Sequence, residues 1–117
     1  TADGARVILN KFKDKFYAYN LLLDVTPDCD CFDKTDLPVV PDLGILSGSD
    51  PVALDRASFD LITLAPGYQG SKLEGTPGMA PGGDKVRPLY PKIDSEAYFQ
   101  ITGRAGIGSS SYHVTEL

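Results

Sequence analysis

Residues 16–25, FYAYNLLLDV, decide the fold class of this chain. Tyr17, Tyr19, Leu21, Leu23 and Val25 fall on one side of an extended segment; Phe16, Ala18, Asn20 and Leu22 fall on the other. Successive side chains of a strand point to opposite faces, so a run that is apolar on both sides suits a strand covered on both. The stretch predicts a strand, and a central rather than an edge strand.

On the N-terminal side, residues 5–13 predict a short helix, with Val7, Ile8 and Phe12 on one face and Arg6 and Lys13 outside it. On the C-terminal side, residues 26–38 break the strand pattern. Asp24, Asp28, Asp30, Asp33 and Asp36 crowd around Cys29 and Cys31, with Pro27 and Pro38 near the two ends, which reads as an acidic loop. Val39 to Ser47 predicts a second strand centred on LGIL, with Pro41 at its entry.

Asp50 and Pro51 then give the sharpest local signal. An aspartate can cap a helix, and a proline suits its first turn because it has no amide hydrogen to leave unpaired. Leu54, Ala57, Leu61 and Leu64 recur at helical spacing until Pro66-Gly67 ends the helix. Residues 66–92 hold six glycines and five prolines and predict a long irregular loop, functional, mobile or packed against something absent from this chain. A last helix begins at Asp94 or Ser95, uses Ala97, Tyr98, Ile101 and Ala105, and stops at GRAGIG, residues 103–108; SYHVTE, residues 111–116, predicts a final strand. The expected order is α-β-β-α-loop-α-β in a single domain, 1–117: a small sheet with helices packed on it. The class is α/β, with α+β as the alternative, and the piece would belong to a larger α/β body.

With 117 residues, 42% of them hydrophobic, the chain can build one core. Its net charge of −5 argues against a duplex binder, which must displace counterions with a basic surface. No apolar run reaches membrane-spanning length, and no basic segment leads into an apolar one as in a secretory signal. The two cysteines are separated by one residue and cannot staple distant segments, so a reducing, cytoplasmic setting is expected. The chain begins at Thr1 and its only methionine is Met79, which reads as part of something longer.

Thr26-Pro27-Asp28-Cys29-Asp30-Cys31 is the main chemical constellation. Thiolates bind zinc or iron well and a carboxylate can complete a shell, which makes Cys29, Cys31, Asp28 and Asp30 candidate metal ligands. The plainer alternative is a turn in which the aspartates bond to backbone amides and the cysteines act as small hydrophobes. A disulfide between the pair would close a small, strained, easily reduced ring. Asp50 and Asp55 form a second cluster, read as a helix cap and an exposed first-turn carboxylate; the alternative gives Asp55 a cation or a neighbouring domain. Gly103, Gly106 and Gly108 follow a helix and lack the lysine of a phosphate loop. Ser109, Ser110 and Ser111 beside His113 give no triad by adjacency alone. No catalytic residue is assigned.

The run DVTPDCDCFDKTDLPVVPDLGILSGSDPVALDRASFDLI, residues 24–62, resembles the C-terminal signature of the DUF362 family of Fe–S centre proteins: TPxCDC, then P(I/V)VPDIGI, then DPVAID opening a helix. Ala65-Pro66-Gly67 fits the helix exit of that family, and residues 106–117 fit a terminal SxxYxxxEL-like tail. The resemblance implies a longer protein in which an α/β body is joined to a ferredoxin-like segment carrying two 4Fe-4S clusters. The ligands of those clusters would lie upstream of Thr1. Cys29 and Cys31 match the separate CDC motif. Residues 68–84 are longer than the family pattern. The expected function is a redox-associated module whose CDC loop binds a metal or faces the cluster segment. The alternative is a structural module that completes the parent body, with the rest of the parent chain or a second copy as partner. An enzyme domain binding a divalent cation through Asp55 or the aspartate loop ranks last.

Overall fold

The structure, a computed structural model, describes residues 2–29, 31–34 and 36–117. Its elements run α1 (Ala2–Lys11), β1 (Ala18–Leu22), β2 (Gly44–Gly48), α2 (Pro51–Leu64), a single 3-10 turn (Pro77–Met79) and α3 (Ser95–Arg104). β1 and β2 form a two-stranded antiparallel sheet, and the architecture is α+β. At this end of the sheet the amide of Leu43, just before β2, donates to the carbonyl of Leu22, the last residue of β1, at 2.8 Å. β1 stops where Asp24 turns left-handed (φ 48°), a conformation aspartate tolerates better than most residues. The freed Asp24 amide donates to Asp42 Oδ1 at 2.9 Å.

Two expectations for the sheet are corrected. β1 is not central: it has one neighbour, and alternate residues on its outer side stay exposed, Tyr19 at 65% and Leu21 at 60%. The pattern for a covered strand is present, but nothing in the described residues covers that face. Residues 111–117 form no strand and are exposed throughout. Among the described residues no helix is long and apolar enough to cross a membrane.

The chain divides into two compact units. The first holds the residues up to Asn20, Ile45–Phe59 and those from Asp94 on. Its core is Val52, Leu54 and Ala57 of α2 with Phe99 of α3, whose ring meets Phe59 edge-to-face at 5.8 Å. The Arg56 guanidinium lies 4.9 Å from the centre of the Phe99 ring and pairs with Glu96 at 2.7 Å, tying α2 to α3 from the solvent side. The expected core face of α3 is rotated. Phe99 and Thr102 are buried, whereas Tyr98 and Ile101 are exposed, because the edge-to-face contact fixes which side of the helix turns inward. α2 likewise buries Val52, Leu54, Ala57 and Ser58, and the expected Leu61 and Leu64 are exposed. α1 buries no residue: its Val7 and Ile8 are exposed, as is Phe12 just after it.

The second unit is Leu21–Gly44 and Asp60–Ile93. Val40 and Leu73 are wholly buried, with Leu22, Val39 and Ala65 nearly so. Residues 66–92 are not a loose loop: successive turns bond Ser71 to Tyr68, Glu74 to Ser71, Thr76 to Leu73, Gly83 to Ala80 and Tyr90 to Val86. Gly83 is required there, since a Cβ would collide with the Pro77 carbonyl oxygen. At the end of α2, Lys85 is only 3% exposed and points Nζ at three carbonyls: Thr63 O (3.2 Å), Ala80 O (2.9 Å) and Gly83 O (3.1 Å). An ammonium has three donors, so the set is saturated, and a cation suits the carbonyl end of a helix. Burial pushes the Lys85 ammonium below its ordinary pKa.

Candidate metal-binding loop

The CDC loop belongs to the second unit and is closed at its base by the Val39 amide donating to the Val25 carbonyl at 2.8 Å. Within it, Thr26 Oγ1 donates to the Asp28 carbonyl at 2.9 Å, and the Phe32 amide closes a turn on the Cys29 carbonyl at 3.0 Å. That turn sets the Cys31 amide 3.4 Å from Cys29 Sγ, an N–H directed at sulfur. A donor aimed at a sulfur favours its anionic, metal-binding form. Both cysteines are exposed. Asp30 lies outside the described residues, so its expected ligand role has no geometry here.

Two side chains that the sequence reading did not single out hold this loop. Lys72 Nζ bonds Asp28 Oδ2 at 2.9 Å and Asp36 Oδ2 at 2.6 Å. Tyr90 Oη lies 2.6 Å from Asp28 Oδ1 and 2.5 Å from the Pro27 carbonyl, so its one proton is shared between two acceptors. The local folding explains their placement. Ser71 and Leu73 are buried on either side of Lys72, which turns it outward. Asp84 Oδ1 caps the turn that carries Tyr90, accepting from Val86 N at 2.8 Å and Arg87 N at 3.0 Å.

These bonds set the charge states. The Tyr90 hydroxyl, and after it Lys72, hold the Asp28 carboxyl below its usual range. The Asp36 and Asp28 carboxylates raise the Lys72 ammonium well above the usual lysine value. Donation to Asp28 keeps the Tyr90 phenol protonated to higher pH than usual. Both Asp28 oxygens are therefore engaged, and Asp28 acts as the loop's anchor. Cys29 and Cys31 lie exposed on the same loop. A four-iron cluster takes four thiolates, and the chain contains two cysteines, so its own residues do not fit one. Among the described residues no group of three or more His, Cys, Asp or Glu is placed to hold a metal ion.

The other sequence candidates have structural partners in the first unit. Asp50 caps α2 as expected, Oδ1 accepting from Val52 N at 2.9 Å and Ala53 N at 3.0 Å, while Oδ2 takes the Ser109 amide at 2.9 Å. Gly108 belongs to that cap, because a Cβ there would collide with Asp50 Oδ1. Asp55 is half-buried and joins three elements: Asn20 Nδ2 of β1 donates to Oδ1 at 3.0 Å, and Tyr98 Oη of α3 donates to Oδ2 at 3.0 Å. The second Asn20 amide hydrogen goes to Ser58 Oγ at 2.9 Å, and Ser58 donates to Leu54 O at 2.8 Å. Asp55 is thus a cross-link of β1, α2 and α3. His113 sits in the exposed segment after α3. A groove of about 850 Å³ in the same unit is lined by Phe12, Lys13, Lys15, Tyr17 and Ile107 beside the Asp50 cap.

No protein-family model, curated protein or solved structure matches this chain.

Proposed function

We propose that the chain is a redox-associated module of a DUF362-like protein in which Cys29 and Cys31 bind a soft metal ion. The observation that carries this reading is the pinned loop itself, with two exposed sulfurs one residue apart and an amide hydrogen directed at the first. Lys72 and Tyr90 hold Asp28, and Lys72 also holds Asp36, on the acidic side of the loop that carries the sulfurs. Soft thiolates select zinc, copper(I) or iron over hard cations such as magnesium. Metal content after purification under reducing conditions, for the parent and for Cys29→Ser/Cys31→Ser, tests the reading. Metal retained by the parent and lost from the double variant supports it; no uptake of zinc or iron by the parent counts against it.

A second reading, an interaction module without its own chemistry, is favoured by the outer side of the sheet. In the first unit Tyr17, Tyr19 and Ile45 are each about 60% exposed or more, and Tyr17 and Tyr19 stack edge-to-face at 5.4 Å. A two-stranded ribbon presenting aromatic side chains to water invites cover. Light scattering across a concentration series distinguishes this reading: mass rising with concentration, and no longer rising in Tyr19→Lys, supports it, and a constant monomer mass opposes it.

A further inference from the structure

We propose that the groove of the first unit is a binding site for a flat aromatic monocarboxylate. The groove, about 850 Å³, lies between the end of α1, the start of β1 and the junction of β2 with α2, all within that unit. Its size falls in the range of small-molecule sites, roughly 300–1,000 Å³. The half-buried side chains of Leu9, Phe16, Pro51 and Ile107 line it, together with the exposed rings of Phe12 and Tyr17. Half of these apolar groups are aromatic, and rings pair with rings by offset stacking or edge-to-face contact.

The walls are held in place by bonds of their own. The Lys15 amide donates to the Phe12 carbonyl at 2.8 Å, closing a turn in which Asp14 is left-handed (φ 63°). Tyr17 Oη shares a hydrogen bond with Ser47 Oγ at 3.1 Å, and its ring meets Tyr19 edge-to-face. The Ile107 amide donates to the Thr102 carbonyl at 3.2 Å. A groove with fixed walls loses little freedom when a ligand enters.

The polar lining selects the ligand's charge. Lys13 and Lys15 both line the groove, and neither ammonium has a partner among the described residues. The start of α2 offers no amide to a phosphate. Pro51 has none, Val52 N and Ala53 N donate to Asp50 Oδ1, and Leu54 N donates to the Asp50 carbonyl. A phosphate dianion would also meet Asp14 and Asp50 in the lining. One carboxylate on a ring system suits two free lysines beside aromatic walls. The site shares no residue with the cysteine loop, so the two proposals stand or fall separately.

The experiment is calorimetric titration of the full-length chain with naphthoate, with naphthalenemethanol as the uncharged counterpart, naphthyl phosphate as the dianion and decanoate as the aliphatic carboxylate. The expected result is one naphthoate per chain, bound more tightly than the other three. In Lys13→Gln/Lys15→Gln the affinity for naphthoate falls about fivefold, the combined worth of two exposed ion pairs, and that for the alcohol stays as it was. Phe12→Ser weakens both. These side chains are exposed, so circular dichroism and melting temperature should match the parent. No saturable uptake of naphthoate overturns the site. Equal binding of the alcohol, or an unchanged affinity in the double lysine variant, overturns the role of the lysines. Tighter binding of the phosphate or of decanoate overturns the ligand class.

Discussion

Lys85→Met is the substitution whose outcome the packing of the second unit decides most sharply. The parent ammonium, 3% exposed, donates to three carbonyl oxygens. Methionine fills a similar volume but donates nothing, and two effects then oppose each other. Removing a buried cation relieves its desolvation cost, which is several kcal/mol in general. Against this stand three lost charge-assisted bonds, each worth ~1.5–3 kcal/mol. The acceptors are not left equally bare: Thr63 O keeps the Gly82 amide at 2.8 Å and Ala80 O keeps the Gly83 amide at 3.0 Å. The Gly83 carbonyl alone loses its described donor, and an unsatisfied carbonyl costs ~1–3 kcal/mol. Desolvation relief and lost bonds largely offset, so the orphaned carbonyl sets the net result, a destabilisation of about 2 kcal/mol. Urea denaturation at neutral pH measures it. The pH dependence gives an independent check. Burial lowers the folded pKa of Lys85 from 10.5, so between that lowered value and 10.5 the unfolded chain binds more protons, and the parent gains stability relative to Lys85→Met as pH rises. A variant as stable as the parent, with no divergence at alkaline pH, would refute the assignment of Lys85 as the cation closing the end of α2.

Two further outcomes follow from the same geometry. Because Tyr90 and Lys72 depress the Asp28 pKa, their hold on the loop is complete above the ordinary value of 3.8 and is lost as pH falls through the folded value; proteolysis at residues 26–38 should rise at acid pH in the parent and be high at all pH in Asp28→Asn. Gly108→Ala places a methyl group against Asp50 Oδ1 and should cost ~1 kcal/mol, the usual worth of a helix cap, and its cost by chemical denaturation should shrink in an Asp50→Ala background to what the contact with Val52 Cβ leaves.

The helices and the first two strands were legible because their signals are local. Asp50-Pro51 announced α2, Asp94 caps α3 by accepting from Ala97 N at 3.1 Å, and the alternation of residues 16–25 held a strand, shortened to Ala18–Leu22 where Asp24 turns. Long-range pairing was not legible. Lys72 reaches Asp28 across 44 residues and Tyr90 across 62, and no periodicity reports such contacts. The glycine and proline content of residues 66–92 hid a wholly buried leucine and a buried lysine, because turn residues mark backbone conformation and say little about which side chains lie between them. The rotated face of α3 was missed for a related reason: Tyr98 and Phe99 are adjacent aromatics, and which one turns inward depends on where Phe59 lies. The cysteine pair was read from the sequence, but the engagement of Asp28 was visible only in three dimensions.

The central claim, that the sulfurs of Cys29 and Cys31 act together as soft-metal ligands, is tested most directly by cadmium titration of the reduced chain followed by ultraviolet absorption. Cadmium bound to thiolate shows a charge-transfer band that carboxylates do not produce. The account expects a band that grows to a sharp end point and disappears when either cysteine is changed to serine. A chain that binds cadmium without that band, or whose band persists unchanged in Cys29→Ser, would contradict it.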